Sequence, residues 1–128
     1  MKYCIYIVED YEDTRNILRA MLTHNGYDIS EAETAEEMFE RLHIVNPDLI
    51  VLDIRLPGMD GCTALQKLRS EGFTKPVFLF SEYYDLFSEH VRTCKPDGFF
   101  PKSKGPVPLL DGIRAKLPPR SNGNGAVA

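Results

Sequence analysis

Leu49-Ile50-Val51-Leu52-Asp53 is the stretch that decides the fold, an uninterrupted apolar run that ends in a carboxylate. It does not alternate apolar and polar residues, and the turn-forming pair Pro47-Asp48 precedes it. A short continuous apolar run of this kind is typical of a strand that is covered on both faces, as in a parallel sheet with helices on each side. The stretch therefore predicts a central strand of a layered α/β domain.

Four other segments of the chain are strand-like. Cys4–Val8 and Val77–Phe80 are continuous apolar runs, rich in β-branched and aromatic residues. Tyr27–Glu31 alternates only weakly and Gly98–Phe100 is short. We therefore expect the first two runs in the middle of the sheet and the last two at its edges.

Segments with the helical spacing of apolar residues lie between the strands. They predict helices over 12–25, 34–45, 61–71, 84–93 and 107–117. The apolar face of the first helix consists of Ile17, Leu18, Met21 and Leu22. Gly26 is placed to stop that helix, and Thr34 with Glu37 forms a capping box for the second.

Strand and helix alternate five times, which favours right-handed βαβ crossovers and an α/β sandwich. The prediction is a flavodoxin-like, doubly wound, five-stranded parallel sheet in the order 2-1-3-4-5 with five helices. In that order a crevice forms at the carboxyl ends of strands 1 and 3, where ligands bind in such sheets.

The length of 128 residues suits one domain, which we expect over 1–118. The polar, Pro- and Gly-rich segment 119–128 predicts a disordered tail or a linker remnant. A net charge of -4 without a basic run argues against direct nucleic-acid binding. No stretch is long and apolar enough for a membrane span, and no signal-peptide pattern follows Met1, so we expect a cytoplasmic protein.

The cysteines and histidines show no metal-ligand spacing. The cysteines are Cys4, Cys62 and Cys94, odd in number and far apart in the sequence. The histidines are His24, His43 and His90, all in predicted helices or at their ends. We therefore expect buried or half-buried free thiols in a reducing compartment and no zinc site.

Acidic residues follow the two strands that flank the predicted crevice. Glu9 and Asp10 follow strand 1, and Asp53 follows strand 3. Three carboxylates in one crevice repel each other unless a divalent cation lies among them, and a few hard oxygen ligands suit Mg²⁺.

A hydroxyl and an ammonium group reach the same edge of the sheet. Ser81 ends strand 4, and Lys102 follows strand 5. Together with a metal ion they can neutralise or bond the oxygens of a phosphoryl group. A carboxylate can itself be the nucleophile that accepts such a group, and Asp53, alone at its strand end, is the best placed.

The sequence resembles the receiver domain of bacterial two-component response regulators, the CheY-like superfamily, over residues 2 to 117. The most specific stretch is Asp53-Ile54-Arg55-Leu56-Pro57-Gly58-Met59-Asp60-Gly61, which has the acceptor aspartate, the Leu-Pro pair and the glycines of the family. Ile7-Val8-Glu9-Asp10 and the Phe99-to-Lys102 spacing add to the match.

The resemblance implies a role for each matching residue. Asp53 would accept a phosphoryl group from a sensor histidine kinase. Glu9 and Asp10 would hold Mg²⁺ or Mn²⁺, together with Asp53 and the backbone carbonyl of Arg55. Such a domain is not an enzyme acting on a separate metabolite, because it catalyses only its own phosphorylation and dephosphorylation.

The resemblance also implies how the signal leaves the domain. Ser81 would move to bond the phosphoryl group, Lys102 would pair with one of its oxygens, and the aromatic ring of Phe99 would change rotamer. Helix 4, strand 5 and helix 5 would contact a downstream effector protein. The domain would be a monomer or a phosphorylation-dependent dimer.

Three features depart from the family pattern. Lys102-Ser103 stands where the family usually has Lys-Pro, and Glu82 follows the switch hydroxyl in place of a small residue. Arg55 and Tyr83 are bulky at two positions that tune hydrolysis of the aspartyl-phosphate in the family. We therefore expect both to be partial shields against water and the phosphorylated state to be long-lived.

Three other functions compete with this interpretation. The main alternative is a degenerate receiver that binds a partner protein constitutively, without phosphorylation. A phosphatase with an aspartyl nucleophile would need a general acid where Arg55 stands. A nucleotide-binding domain would need a Gly-rich phosphate loop after strand 1, which the sequence lacks.

Overall fold

The computed structural model describes residues 1–82 and 89–120. Its strands are β1 (Cys4–Val8), β2 (Asp28–Ala32), β3 (Leu49–Leu52), β4 (Val77–Ser81) and β5 (Gly98–Pro101). Its helices are α1 (Glu12–His24), α2 (Ala35–Val45), α3 (Gly61–Ser70), α4 (Glu89–Cys94) and α5 (Val107–Lys116). A short 3-10 helix covers Lys102–Lys104.

The five strands form one parallel sheet in the order β2-β1-β3-β4-β5. This confirms the predicted flavodoxin-like topology, with β2 and β5 at the edges. The fourth helix was predicted over 84–93, of which residues 84–88 lie outside the described part of the chain. Within the described ranges, no helix has the length and apolarity that a membrane crossing requires.

Each central strand packs against helices on both faces, which explains why the apolar runs do not alternate. In β1, Ile5 and Ile7 lie in one core with Leu18 of α1 and Ile113 of α5. Tyr6 and Val8 point the other way, into a second core. That second core includes residues of α2, α3 and α4, among them Met38, Leu65 and Val91.

The residues predicted to begin α2 and to end α1 do so in the structure, but one hydrogen bond at the start of α2 differs from the standard capping box. The hydroxyl of Thr34 accepts a hydrogen bond from the N–H of Glu37 at 3.0 Å, which caps α2. The Glu37 carboxylate accepts from the N–H of Glu33 at 2.8 Å, one residue earlier than in a standard capping box. Gly26 follows α1 with a φ of 95°, a conformation that favours glycine.

One predicted core residue lies at the surface. Ile17 is 56% exposed, whereas Leu18 and Leu22 of the same helix are buried. The buried face of α1 is therefore narrower than the sequence pattern indicates, because neighbouring positions along a helix point about 100° apart.

The C-terminal end of the described chain contacts the residues that directly precede β1 and β2. The Tyr27 hydroxyl donates to the backbone carbonyl of Leu117. The guanidinium carbon of Arg120 lies 3.6 Å from the centre of the Tyr3 ring. Residues 121–128 are outside the described ranges, so a domain boundary near residue 118 stays a prediction.

Candidate functional site

The parallel register brings the acidic residues together at one edge of the sheet. Val8 and Leu52 are partners in the β1–β3 pair, so the next residues, Glu9 and Asp53, leave the sheet side by side. The carboxylate oxygens of Glu9, Asp10 and Asp53 lie within 4.8 Å of one another. The convergence predicted from the topology is therefore present in the structure.

These three carboxylates differ in their exposure to solvent. Glu9 and Asp53 are only 2% and 5% exposed, whereas Asp10 is an exposed residue. They line a cleft of about 440 Å³ together with Tyr11, Thr14, Arg55, Glu82 and Lys102. The cleft gives a small ligand a route to Asp53 although most of that side chain is covered.

Lys102 bridges the two buried acids. Its ammonium nitrogen lies 2.9 Å from Oδ2 of Asp53 and 2.9 Å from Oε1 of Glu9. Burial alone would lower the pKa of Lys102, but its hydrogen bonds and charge interactions with Asp53 and Glu9 raise it above the ordinary value. The lysine is therefore positively charged at neutral pH and is held against the two acids in the lining of the cleft.

The surroundings of Glu9 oppose the ionisation of its carboxyl group. Burial and then the negative charge of Asp53 raise the pKa of Glu9 to about 7, although Lys102 and the N–H of Tyr11 act in the opposite direction. A divalent cation among the carboxylates would favour the ionised form. Without one, Glu9 holds a proton over part of the neutral range.

The other carboxylate oxygen of Asp53 is also hydrogen-bonded. Oδ1 accepts from the hydroxyl of Ser81 at 2.7 Å and from the N–H of Arg55 at 3.2 Å. Ser81 reaches this position because β4 lies next to β3 and ends at Ser81. The orientation of the Asp53 carboxylate is thus fixed from both sides, by Lys102 and by Ser81.

The loop between β3 and α3 closes tightly behind Asp53. The N–H of Gly61 donates to the carbonyl of Ile54 at 2.8 Å. A Cβ atom at Gly61 would lie 2.2 Å from the backbone oxygen of Asp53, which no side chain tolerates. The Glu36 carboxylate of α2 accepts from the N–H of Met59 at 3.0 Å and holds the far side of the loop.

The remaining predicted site residues lie around the cleft or outside the described chain. Arg55 and Glu82 line the cleft. Phe99, in β5, is partly buried and packs against the core that includes α2, α3 and α4. Lys102 begins the 3-10 helix that contains Ser103. Tyr83 lies outside the described residues, so its predicted role stays a prediction.

The donor set of the cleft fits a hard divalent cation. Glu9, Asp10 and Asp53 offer carboxylate oxygens, and sulfur or imidazole ligands are not among the residues that line the cleft in the described ranges. Mg²⁺ prefers such oxygen ligands and keeps several waters, for which the open side at Asp10 leaves room.

Sequence reasoning missed a second group of reactive side chains, between α3 and α4. The sulfur atoms of Cys62 and Cys94 lie 2.9 Å apart, although 32 residues separate them along the chain. Donor atoms of Asp60, Cys62 and His90 lie within 4.8 Å of one another. The spacing of His90 and Cys94 by one helical turn was the available signal, but nothing in the sequence places α3 beside α4.

Comparisons with known proteins agree with the fold. A family model, the response regulator receiver domain, matches residues 5–113. A response regulator MprA from Mycobacterium ulcerans is 33% identical over 119 residues, which cover 91% of this chain and 51% of the relative. MprA from Mycolicibacterium vanbaalenii is 32% identical over 115 residues, 88% of this chain and 49% of the relative. The chain thus spans about half the length of these relatives.

Solved structures of response regulators superpose closely on the chain. The response regulator TrrA from Thermotoga maritima, crystallised in complex with Mg²⁺ and BeF, has a TM-score of 0.81 at 27% identity, covering 90% of this chain and 99% of TrrA. A CheY-like receiver domain protein from Methanospirillum hungatei also has a TM-score of 0.81, at 25% identity, covering 91% of this chain and 94% of its own.

Proposed function

Because the chain belongs to the response regulator receiver domain family of two-component signal transduction, we propose that it acts as a phosphorylated switch whose acceptor is Asp53. The observation that carries this proposal is the placement of the Asp53 carboxylate. It borders an open cleft, next to two further acids, and receives hydrogen bonds from Lys102 and Ser81. We propose a sensor histidine kinase as the physiological phosphoryl donor.

The residues of the cleft have different roles in phosphoryl transfer. A carboxylate oxygen of Asp53 attacks phosphorus as the bond to the donor nitrogen breaks, which leaves an aspartyl-phosphate. Glu9, Asp10 and Asp53 would hold Mg²⁺, with the backbone carbonyl of Arg55 as a further ligand. The cation supplies charge neutralisation for the phosphoryl oxygens when bound.

Lys102 and Ser81 already contact the group that would become phosphorylated. On transfer, the ammonium of Lys102 pairs with one phosphoryl oxygen and the hydroxyl of Ser81 donates to another. Both residues lie at the ends of their strands, β5 and β4, so a shift at either is passed to the adjoining loop. A rotamer change of Phe99, three residues before Lys102, would accompany this shift.

We assign the outgoing signal to the face formed by α4, β5 and α5. A downstream effector protein would read the loop shifts there, and the domain would be a monomer or dimerise on phosphorylation. We place the protein in the cytoplasm, where kinase and effector meet. Arg55, exposed and at the rim of the cleft, together with Tyr83, would hinder water and prolong the phosphorylated state.

Intact-mass analysis after incubation with acetyl phosphate and Mg²⁺ tests the proposed acceptor. We expect the mass of one phosphoryl group to appear in the parent chain and in Asp111→Asn, a control on an exposed residue of α5. Asp53→Asn and a sample in EDTA are expected to gain none. A parent chain that gains no phosphoryl group under these conditions would support the degenerate receiver instead.

A further inference from the structure

A pair of sulfur atoms connects α3 to α4, away from the acidic cleft. Cys62 lies in the first turn of α3 and Cys94 is the last residue of α4. Their sulfurs lie 2.9 Å apart, and neither cysteine is in a disulfide bond. That separation is inside ordinary contact distance for heavy atoms, about 3.5–4.0 Å, and exceeds a disulfide bond of about 2.05 Å by less than one ångström.

We propose that Cys62 and Cys94 form a reversible disulfide that fastens the end of α4 to the start of α3. The side chains around the pair support a bond between the sulfurs rather than a metal site. Asp60 accepts a hydrogen bond from the N–H of Thr63. The same carboxylate lies 3.1 Å from Nε2 of His90, so the side chains of Asp60 and His90 are hydrogen-bonded to each other. Among these four side chains, hydrogen bonds join His90 with Asp60 and Cys94 with Cys62.

A peroxide is the oxidant that the surroundings of the pair allow, because it is small. Cys62 is fully buried and Cys94 is 5% exposed, so Cys94 is the more accessible residue of the two and reacts first in this proposal. The sulfur of Cys94 attacks one peroxide oxygen, the O–O bond breaks, and the leaving hydroxide takes up the thiol proton as water. Cys62 then attacks the sulfenic sulfur, the S–O bond breaks, and a second water leaves with the proton of Cys62.

The reaction is expected to be slow at neutral pH. Burial raises the pKa of the Cys94 thiol, only partly offset by its hydrogen bond with Cys62. The thiolate is the reactive form, so the rate should rise with pH. The consequence lies in α4, which belongs to the face assigned to the effector: its C-terminal end would be held to α3. Formation of the bond itself does not depend on phosphorylation.

Thiol counting after peroxide treatment tests the proposal on the intact chain. The protein is treated with hydrogen peroxide, quenched, denatured and alkylated, and its mass is measured. We expect the number of alkylated cysteines to fall from three to one in the parent chain. The half-buried Cys4 provides the matched control, because Cys4→Ser should still lose two thiols.

Peptide mapping makes the result independent of how the variants fold. In the oxidised parent chain, one cross-linked peptide pair should contain residues 62 and 94 and should separate on reduction with dithiothreitol. Cys62→Ser and Cys94→Ser should form no intramolecular cross-link. Three alkylated thiols, a sulfinic acid at Cys94 without a cross-link, or dimers linked through Cys4 in which residues 62 and 94 are not cross-linked would overturn the proposal. So would tight binding of Zn²⁺ by the reduced chain that is lost in both Cys62→Ser and His90→Ala.

Discussion

At the residue scale, the cleft holds two buried carboxylates, those of Glu9 and Asp53, against the ammonium group of Lys102. The arrangement suits a bound cation, but in the absence of one it leaves negative charge incompletely balanced in a covered site. Residues that serve a reaction often oppose the stability of the fold in this way. The effect of these charges on the free energy of unfolding can be measured, because each carboxylate can be replaced by an isosteric, uncharged amide.

Asp53→Asn should stabilise the metal-free protein. The amide keeps an oxygen that accepts from Ser81, while Lys102 is left with Glu9 as its partner. We expect the free energy of unfolding at pH 7.5, measured by urea denaturation in EDTA, to rise by about 1 kcal/mol. The exposed control Asp111→Asn should change it by less than about 0.5 kcal/mol. If Asp53→Asn instead lowered the free energy of unfolding by about 1 kcal/mol or more, the negative charges of Glu9 and Asp53 would already be fully balanced in the parent protein.

The pH dependence of stability should report the proton on Glu9. Its pKa is raised from 4.5 to about 7 in the folded protein, so the folded state binds more protons than the unfolded state between these values. The stability of the metal-free protein should therefore fall as pH rises from about 4.5 to about 7, and saturating Mg²⁺ should remove most of this fall. In Glu9→Gln the decline should be much smaller. Identical pH profiles of the parent and Glu9→Gln would contradict this assignment.

At the scale of elements, the loop from β3 to α3 determines the position of Asp53. A hydrogen bond from Gly61 to Ile54 closes it on one side, and Glu36 of α2 holds Met59 on the other. The backbone of α3 thus begins in direct contact with the backbone of the acceptor residue. Changes in this loop should affect the cleft without touching any of its charges.

Gly61→Ala tests this coupling. The added Cβ must push away the backbone of Asp53, because it would otherwise lie 2.2 Å from its oxygen. We expect a loss of about 1–3 kcal/mol in unfolding free energy and weaker binding of Mg²⁺, measured by titration of the folded variant. Gln66→Ala, at an exposed position of the same helix, is the control and should leave both quantities close to those of the parent. Unchanged Mg²⁺ affinity in Gly61→Ala would refute the coupling.

The elements themselves were largely predictable from the sequence. Apolar runs such as Leu49–Leu52 identify central strands, because only a strand covered on both faces is apolar at every position. Once the strand order is known, Glu9, Asp53 and Ser81 must meet, because parallel strands end at the same edge. This part of the site follows from topology.

Contacts that depend on how side chains pack were not predictable. The sequence places Lys102 near Asp53, but its equal approach to Glu9 depends on the course of the 3-10 helix after β5. The contact of Cys62 with Cys94 depends on the separation of α3 and α4, which no periodicity encodes. The exposure of Ile17 likewise depends on how α1 is rotated against the sheet.

At the scale of the whole molecule, one layered domain carries both the acidic cleft and the face assigned to the effector. Strands β4 and β5 connect them, because both end at the cleft while α4 and α5 flank the same strands. The chain spans about half the length of the MprA relatives, so the function of the remaining half of those proteins is not assigned to this chain. The central claim for this chain is the chemistry of Asp53.

Trapping the acyl phosphate tests that claim most directly. After incubation with acetyl phosphate and Mg²⁺, sodium borohydride reduces an aspartyl-phosphate to an alcohol and marks the residue that carried it. Cleavage after Arg41 and Arg55 gives a peptide that contains both Asp53 and Asp48, which serves as an internal control. We predict the reduced residue at position 53, in an Mg²⁺-dependent amount, and an unmodified Asp48. Reduction at another acid, or at none in a sample that has bound Mg²⁺, would contradict it.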